Sequence, residues 1–333
     1  MRFAVQPAAM DGAETVLNAL DAILLRVEDD IHELELLQAD ELEASAWYQL
    51  SRADRRKLLE QIAEASLHRT PRARGPHLRR VEVGDAASAA QARSIAHAPL
   101  LVLLENDVSD GALVEAALRI FAEPTTIELC FGKPSKIEPP AFRMESRGGN
   151  GELKKRLTAC ISEAAARGRP PRLVVVTDSD GEWPGEVKKD PQAIRDQCAA
   201  EGIPCPHLNK RTAENYIPDA VWNAWAAVPG RTNAVPAVHA LLRLSPDQRD
   251  HVRMLDSGKS PWDKDKPDAA ALFQSVSAAD EAVLREAHLK GTGTSMRILA
   301  LRDHSAALTP IDLRTRDQHG DLLNLVRQIE DEL

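Results

Sequence analysis

The chain has 333 residues, 43% of them hydrophobic and 28% charged, and a formal net charge of −9, a composition expected of a globular protein outside the membrane. No apolar run approaches the ~20 residues needed to span a bilayer. The acidity also argues against a protein that coats nucleic acid or anionic lipid through bulk charge, although a local basic groove is compatible with it. Aromatic residues make up only 4%, so the core must rest on Leu, Val, Ile and Ala. The start, Met1 to Pro7, lacks the apolar stretch of a secretory signal. Cys130, Cys160, Cys198 and Cys205 have no metal-ligand spacing, so free thiols in a reducing, cytoplasmic setting are expected.

Residues 13 to about 66 read as helix, with Val16, Leu20, Ile23, Leu24, Val27, Ile31 and Leu34 recurring at three- and four-residue steps. A second helix is expected from Ala53 to Leu67. The first helix's stripe must be covered by the rest of the chain or by a partner, and a homodimer is the default expectation. From His68 to Arg80 the chain carries Arg69, Arg72, Arg74, Arg79 and Arg80 with no acid, and reads as a linker or exposed turn.

The middle of the chain alternates strand and helix signals. Leu100–Leu104 is a short apolar run, followed by a helix over Gly111–Phe121. Thr126–Phe131 is a second strand candidate, Gly151–Arg167 a helix and Leu173–Val176 a third strand. Pro191–Glu201 is a further helix, and Pro204–Leu208 a short fourth strand. Strands apolar on both faces and separated by helices predict an α/β fold with a parallel sheet flanked by helices. From about Ala220 the pattern is mostly helical. The expected division is a mainly helical region at 1–94, an α/β core at 95–235 and a mainly helical region at 236–333.

Two of the core strands end in acids: Leu103-Leu104-Glu105-Asn106, and Val176-Thr177-Asp178-Ser179-Asp180-Gly181. Functional sites in parallel sheets gather at the carboxyl ends of strands. Carboxylates there suit a hard cation such as Mg²⁺. In an extended chain Asp178 and Asp180 would project to the same side, with Gly181 permitting the turn that follows.

This ordered set resembles the TOPRIM fold of topoisomerases, bacterial primases and OLD-family nucleases. Downstream, Lys210-Arg211-Thr212-Ala213-Glu214-Asn215-Tyr216-Ile217 is similar to the basic residue and Glu-Asn-Tyr-aliphatic run of TOPRIM nucleases of the OLD type and related bacterial anti-phage defence proteins. Leu244–Asp250 resembles the helical region that follows in that group. The family usually has Gly where this chain has Asn106, and the spacing to Ser109-Asp110 is one residue longer.

The resemblance implies a TOPRIM-like core in which Glu105, Asp178 and Asp180 ligate Mg²⁺, or Mn²⁺ in its place, with Glu214 a further ligand. It implies Lys210 as a phosphate contact, with Arg211 the alternative. The activity implied is metal-dependent phosphodiester hydrolysis of DNA or RNA in anti-phage or anti-plasmid defence. OLD-type relatives carry an ATPase domain, and no Walker motif occurs here, so a separate ATPase or sensor partner is implied. The alternative reading is a catalytically degenerate TOPRIM module that binds nucleic acid or docks a partner. A phosphatase-like use of Asp178 as nucleophile ranks third.

Gly148-Gly149-Asn150-Gly151 precedes a helix and reads first as a flexible turn, second as a phosphate-facing one. Lys133, Lys136, Arg143, Arg147, Lys154, Lys155 and Arg156 form the densest basic region, a candidate backbone contact for nucleic acid. Tyr216, Trp222, Trp225 and Trp262 are expected to pack rather than react.

Overall fold

The computed structural model describes residues 1–68, 78–106, 108–132, 140–146, 148–229, 234–254, 259–287, 300–303 and 308–333. Arg69, Arg72, Arg74, Lys133, Lys136 and Arg147 of the basic runs lie outside the described residues.

Two three-stranded parallel sheets organise the chain. In the first, β1 (Arg2–Val5) lies between β2 (Glu33–Leu36) and β3 (Arg80–Val83). Phe3, Val5, Leu34, Leu36 and Val83 turn to one buried face, and Arg2, Glu33, Glu35, Arg80 and Glu82 alternate with them. The register sets Arg2 opposite Glu33, and the two side chains pair at 2.9 Å. Helices Glu14–Glu28, Ala53–Leu67 and Ala86–Ala96 share the core of the apolar face.

The region 1–94 is therefore an α/β unit, most of its residues in helices but organised by a three-stranded sheet that the helical pattern did not announce. The first helix stops at Glu28, and Asp30 adopts a left-handed φ of 57°. Beyond it, Glu33-Leu34-Glu35-Leu36 alternates with a period of two, the signature of a half-buried strand. Leu34 matched the helical spacing by coincidence. The apolar stripe of the first helix is covered by this unit's own core, so it gives no support to the expected homodimer.

The second sheet has β4 (Leu100–Leu104) between β5 (Phe142–Ser146) and β6 (Leu173–Val175), all parallel. All five residues of β4 are buried, and they alternate between two cores. Leu100, Val102 and Leu104 join the Ser109–Phe121 helix and the C-terminal helices, while Leu101 and Leu103 join the Gly149–Ala166 and Lys189–Ala200 helices. A strand buried on both faces is what the Leu-Leu-Val-Leu-Leu run encodes, at roughly 1.5–3 kcal/mol for each side chain buried.

Thr126–Phe131 is helix, not strand: Pro124 occupies the first turn of Pro124–Phe131, where its missing N–H costs nothing. The second strand is instead β5, whose sequence Phe-Arg-Met-Glu-Ser is too polar to stand out because it lies at the sheet's edge. Pro204–Leu208 runs beside β6 but is held by a Val175 N–H to Pro204 O bond of 3.0 Å and a single Thr177–His207 bridge, so it is less than a full strand.

The helices after residue 236 do not form a core of their own. Val238, Leu241, Leu313, Leu322, Leu325, Val326 and Ile329 pack into the same cluster as β4. The last helix, Asp321–Glu332, is tied to the sheet by buried Arg172, whose guanidinium donates to the carbonyls of Ala98, Glu332 and Leu333. Arg172→Met leaves these buried acceptors without donors, so a loss of about 2–4 kcal/mol in urea unfolding is expected. A midpoint unchanged from the parent protein would refute that role.

Candidate metal centre

The chain leaves β4 on one side to reach β5 and recrosses it to reach β6, which makes the carboxyl end of β4 a topological switch point, where sites in such sheets gather. Glu105 follows β4 directly, and its backbone carbonyl accepts from Gly148 N–H at 3.2 Å. Asp178 and Asp180 follow β6. Glu214 lies in the short 3₁₀ turn Ala213–Tyr216, and Asp110 in the first turn of the Ser109–Phe121 helix.

The other four carboxylates sit within electrostatic reach of Asp178. Burial first, then the charges of Asp110, Glu214, Glu105 and Asp180 in that order, hold its carboxyl well above the usual carboxylate range. Opposing them, the N–H of Ala213 donates to Asp178 Oδ2 at 3.2 Å. Glu214 is almost fully buried, and its Oε1 makes no hydrogen bond among the described residues. A buried, unfilled carboxylate oxygen facing other acids is costly unless a cation completes it. All the donors are hard oxygens, the type that Mg²⁺ and Mn²⁺ take. Among the described residues, however, no three His, Cys, Asp or Glu side chains already converge closely enough to enclose an ion.

Asp180 departs from the extended geometry expected of Asp-x-Asp. Its φ of +53° is left-handed, a region that Asp tolerates better than most residues. Three contacts impose the turn. The Ser179 hydroxyl donates to Lys210 O at 2.8 Å and accepts from Gly181 N–H at 3.0 Å, while Asp180 N–H donates to Arg211 O at 3.0 Å. Gly181 has no room for a side chain, since an added Cβ would lie 2.2 Å from the carbonyl of Glu186. Gly181→Ala is therefore expected to cost at least about 1–3 kcal/mol and to displace Asp180. A thermal melt and a metal titration matching the parent would contradict this.

The glycine-rich turn is part of the site. Gly148 and Gly149 take φ of 76° and 72°, and Asn150 donates from Nδ2 to Asp180 Oδ2 at 3.2 Å. The Thr177 hydroxyl donates to Asn150 Oδ1 at 3.4 Å. Asn150 thus bridges the Gly149–Ala166 helix to the Asp-x-Asp strand. Asn106 works differently from the Gly it replaces. Its φ is not positive; its Oδ1 instead accepts from Val108 and Ser109 N–H groups at 2.9 and 3.2 Å and starts the next helix. That turn aims Asp110, whose Oδ2 accepts from Asn106 N–H at 2.9 Å.

Each residue of the Glu-Asn-Tyr run has its own task. Glu214 faces the carboxylates. Asn215 donates from Nδ2 to Arg249 O and Val252 O at 2.7 and 3.0 Å. Buried Tyr216 bonds through its hydroxyl to Asp321. Trp222, Trp225 and Trp262 are buried, as expected, with Trp262 stacked on Phe273 at 4.4 Å.

Lys210 does not present a charge to this site. It is fully buried, its Nζ sits 2.6 Å from Asp250 Oδ2, and Asp250 also pairs with Arg316. Burial and the neighbouring Arg316 outweigh Asp250 and push the ammonium down to about 8. As placed, it braces the Pro246–His251 helix, and the phosphate contact implied for it has no geometric support.

Arg211 has a different setting. It lies 4.0 Å from buried Glu182, which also pairs with Lys266 at 2.5 Å, Lys188 at 2.9 Å and Arg253 at 3.2 Å. Burial alone would raise the Glu182 carboxyl; the bonds from Lys266 and Lys188 and the charge of Arg211 win, and hold it at about 2. Four cations gathered on one acid next to Asp180 form the basic side of the site. In the earlier basic run, Arg143 and Arg156 are matched to Glu145, and Lys155 to Glu152.

Asp110, noted in the sequence for its longer spacing from Glu105 but given no ligand role, lies in the first turn of the helix that leaves the acidic strand. The Glu182 group escaped the sequence reading. Nothing local marks Glu182, because its partners come from residues 188, 211, 253 and 266. Comparison with protein-family models, with curated proteins and with solved structures returns no match to this chain.

Proposed function

We propose that this protein is a divalent-metal-dependent nuclease of TOPRIM type. The observation that carries the reading is the gathering of Glu105, Asp110, Asp178, Asp180 and Glu214 at one sheet end, with an unfilled buried oxygen on Glu214. Glu105, Asp178, Asp180 and Glu214 would hold Mg²⁺ or Mn²⁺, with Asp110 beside them. A bound ion supplies charge neutralisation at a phosphate and a more acidic water. The residues themselves supply the rest. Asn150 and the 3₁₀ turn orient Asp180 and Asp178, and the Arg211, Arg253, Lys188 and Lys266 group offers positive charge to a phosphodiester backbone. The resemblance in sequence extends the reading to a cytoplasmic role in anti-phage defence with a separate ATPase or sensor.

The sequestration of Lys210 favours a second reading, a TOPRIM module that binds nucleic acid without cutting it. One experiment separates the two. Purified protein is incubated with plasmid DNA and with total RNA, in Mg²⁺, Mn²⁺ or EDTA, and metal binding is followed by calorimetry. Metal-dependent cutting supports the nuclease. Nucleic-acid binding without metal uptake supports the second reading and sinks the first.

A further inference from the structure

Cys198 lies in the last turn of the Lys189–Ala200 helix, and Cys205 in the segment that runs back along β6. The turn between them is tight: Gly202 takes φ +62°, and Ile203 N–H donates to Cys198 O at 2.9 Å. The turn packs Cys205 against the cluster that holds Cys198, and the neighbouring Cys198 thiol lowers the Cys205 thiol below its usual range while its own is raised. Cys198 is buried and Cys205 is partly exposed.

A cation completes the arrangement. Arg195 stands one turn before Cys198 on the same helix, and Cys205 is foremost among the groups whose negative charge acts on its guanidinium. Nε and Nη1 of Arg195 are buried with no hydrogen-bond partner among the described residues, while Nη2 donates to Leu208 O at 3.3 Å. Buried guanidinium donors without an acceptor are expensive, and an anion on Cys205 is the charge that would satisfy them. Two inert core thiols would not account for the two buried guanidinium nitrogens of Arg195 that lack an acceptor. The neighbouring Cys198 thiol and the guanidinium both favour the Cys205 thiolate, the form that reacts.

We propose that Cys205 is an oxidation site for hydroperoxides and that Cys198 is its resolving partner. The Cys205 thiolate attacks the peroxide oxygen, the O–O bond breaks, and hydroxide or alkoxide leaves, giving a sulfenic acid. The Cys198 sulfur then attacks the Cys205 sulfur. Its proton and the sulfenic hydroxyl depart as water, and an S–S bond forms. Two thiols are oxidised and one peroxide is reduced. The link closes residues 198–205 beside the strand that leads to Asp178: Val175 N–H donates to Pro204 O within the closed segment, and Thr177 bridges to His207 just beyond it.

The test uses the intact protein. It is treated with hydrogen peroxide, blocked with iodoacetamide and digested with trypsin, which leaves both cysteines in the peptide 196–210. The expected product is that peptide lighter by two hydrogens and unalkylated, while Cys130 and Cys160 are fully alkylated. Cleavage after Glu201 should leave its halves joined until a reductant is added. Alkylation of Cys198 and Cys205 to the extent of the other two would overturn the proposal, as would added oxygen at Cys205 with no link. Cys198→Ser should let the sulfenic acid accumulate, trapped by dimedone. Arg195→Gln should slow oxidation by about tenfold. An unchanged rate in a folded Arg195→Gln protein would remove Arg195 from the site.

Discussion

Asp178→Asn is expected to lower metal-dependent cleavage by at least about 100-fold and, in EDTA, to raise the protein's melting temperature. The first effect follows from removing a ligand, since even outer groups that merely orient ligands cost about 10–100-fold when lost. The second follows from the crowding of the metal-free site, where Asp110, Glu214, Glu105 and Asp180 all oppose charge on Asp178. An amide keeps the shape and removes the repulsion, the usual trade of stability against function at such sites. The pH dependence has a definite sign. The folded carboxyl titrates above its ordinary 3.8, so its contribution to stability is complete below that value and is lost as pH rises through the raised folded value. Melting curves of the parent in EDTA should show this decline and those of Asp178→Asn should not. A variant that cuts at the parental rate would end the metal-centre reading.

Glu182→Gln has the opposite character: a large loss of stability. It removes the acid shared by Arg211, Arg253, Lys188 and Lys266, and leaves Glu186 on Lys188 and Asp263 beside Lys266. Breaking a fully buried pair costs about 3–5 kcal/mol; here Lys188 and Lys266 retain contact with water, and about 2–3 kcal/mol is expected. The folded carboxyl is depressed from 4.5 to about 2, so its stabilisation is present above pH 4.5 and disappears as pH falls towards 2. Urea midpoints at pH 7 and pH 3 test this. The gap between parent and variant should narrow at the lower pH, and an equal gap at both would show that the charge on Glu182 is not what matters.

How much of this was legible in the sequence depended on whether the signal was local. The strand Leu100–Leu104, the helix Ala53–Leu67 and the acids Glu105, Asp178 and Asp180 announce themselves, because apolar runs and strand-end carboxylates are written in adjacent residues. β1 and β3 are four residues each and passed unnoticed beside longer helical patterns. β5 was hidden by its polar edge position, and Thr126–Phe131 misled because β-branched residues outweighed the Pro124 start signal. The basic part of the site was the least legible. The family resemblance implied a phosphate contact for Lys210, but its partner Asp250 is forty residues away, and only the fold reveals that the charge is already engaged.

The final helix, Asp321–Glu332, packs along β6, the strand that leads to Asp178, and is bonded at each end to residues beside that strand. Asp321 accepts from Asn209 and Tyr216 near the carboxyl end of β6, and the Glu332 carbonyl is held by Arg172 at the amino end. It therefore acts as a brace along β6, coupling the position of the Glu-Asn-Tyr turn to the foot of the sheet. Shortening the chain by this helix would not trim a periphery; it would release the scaffold against which the carboxylates are aligned.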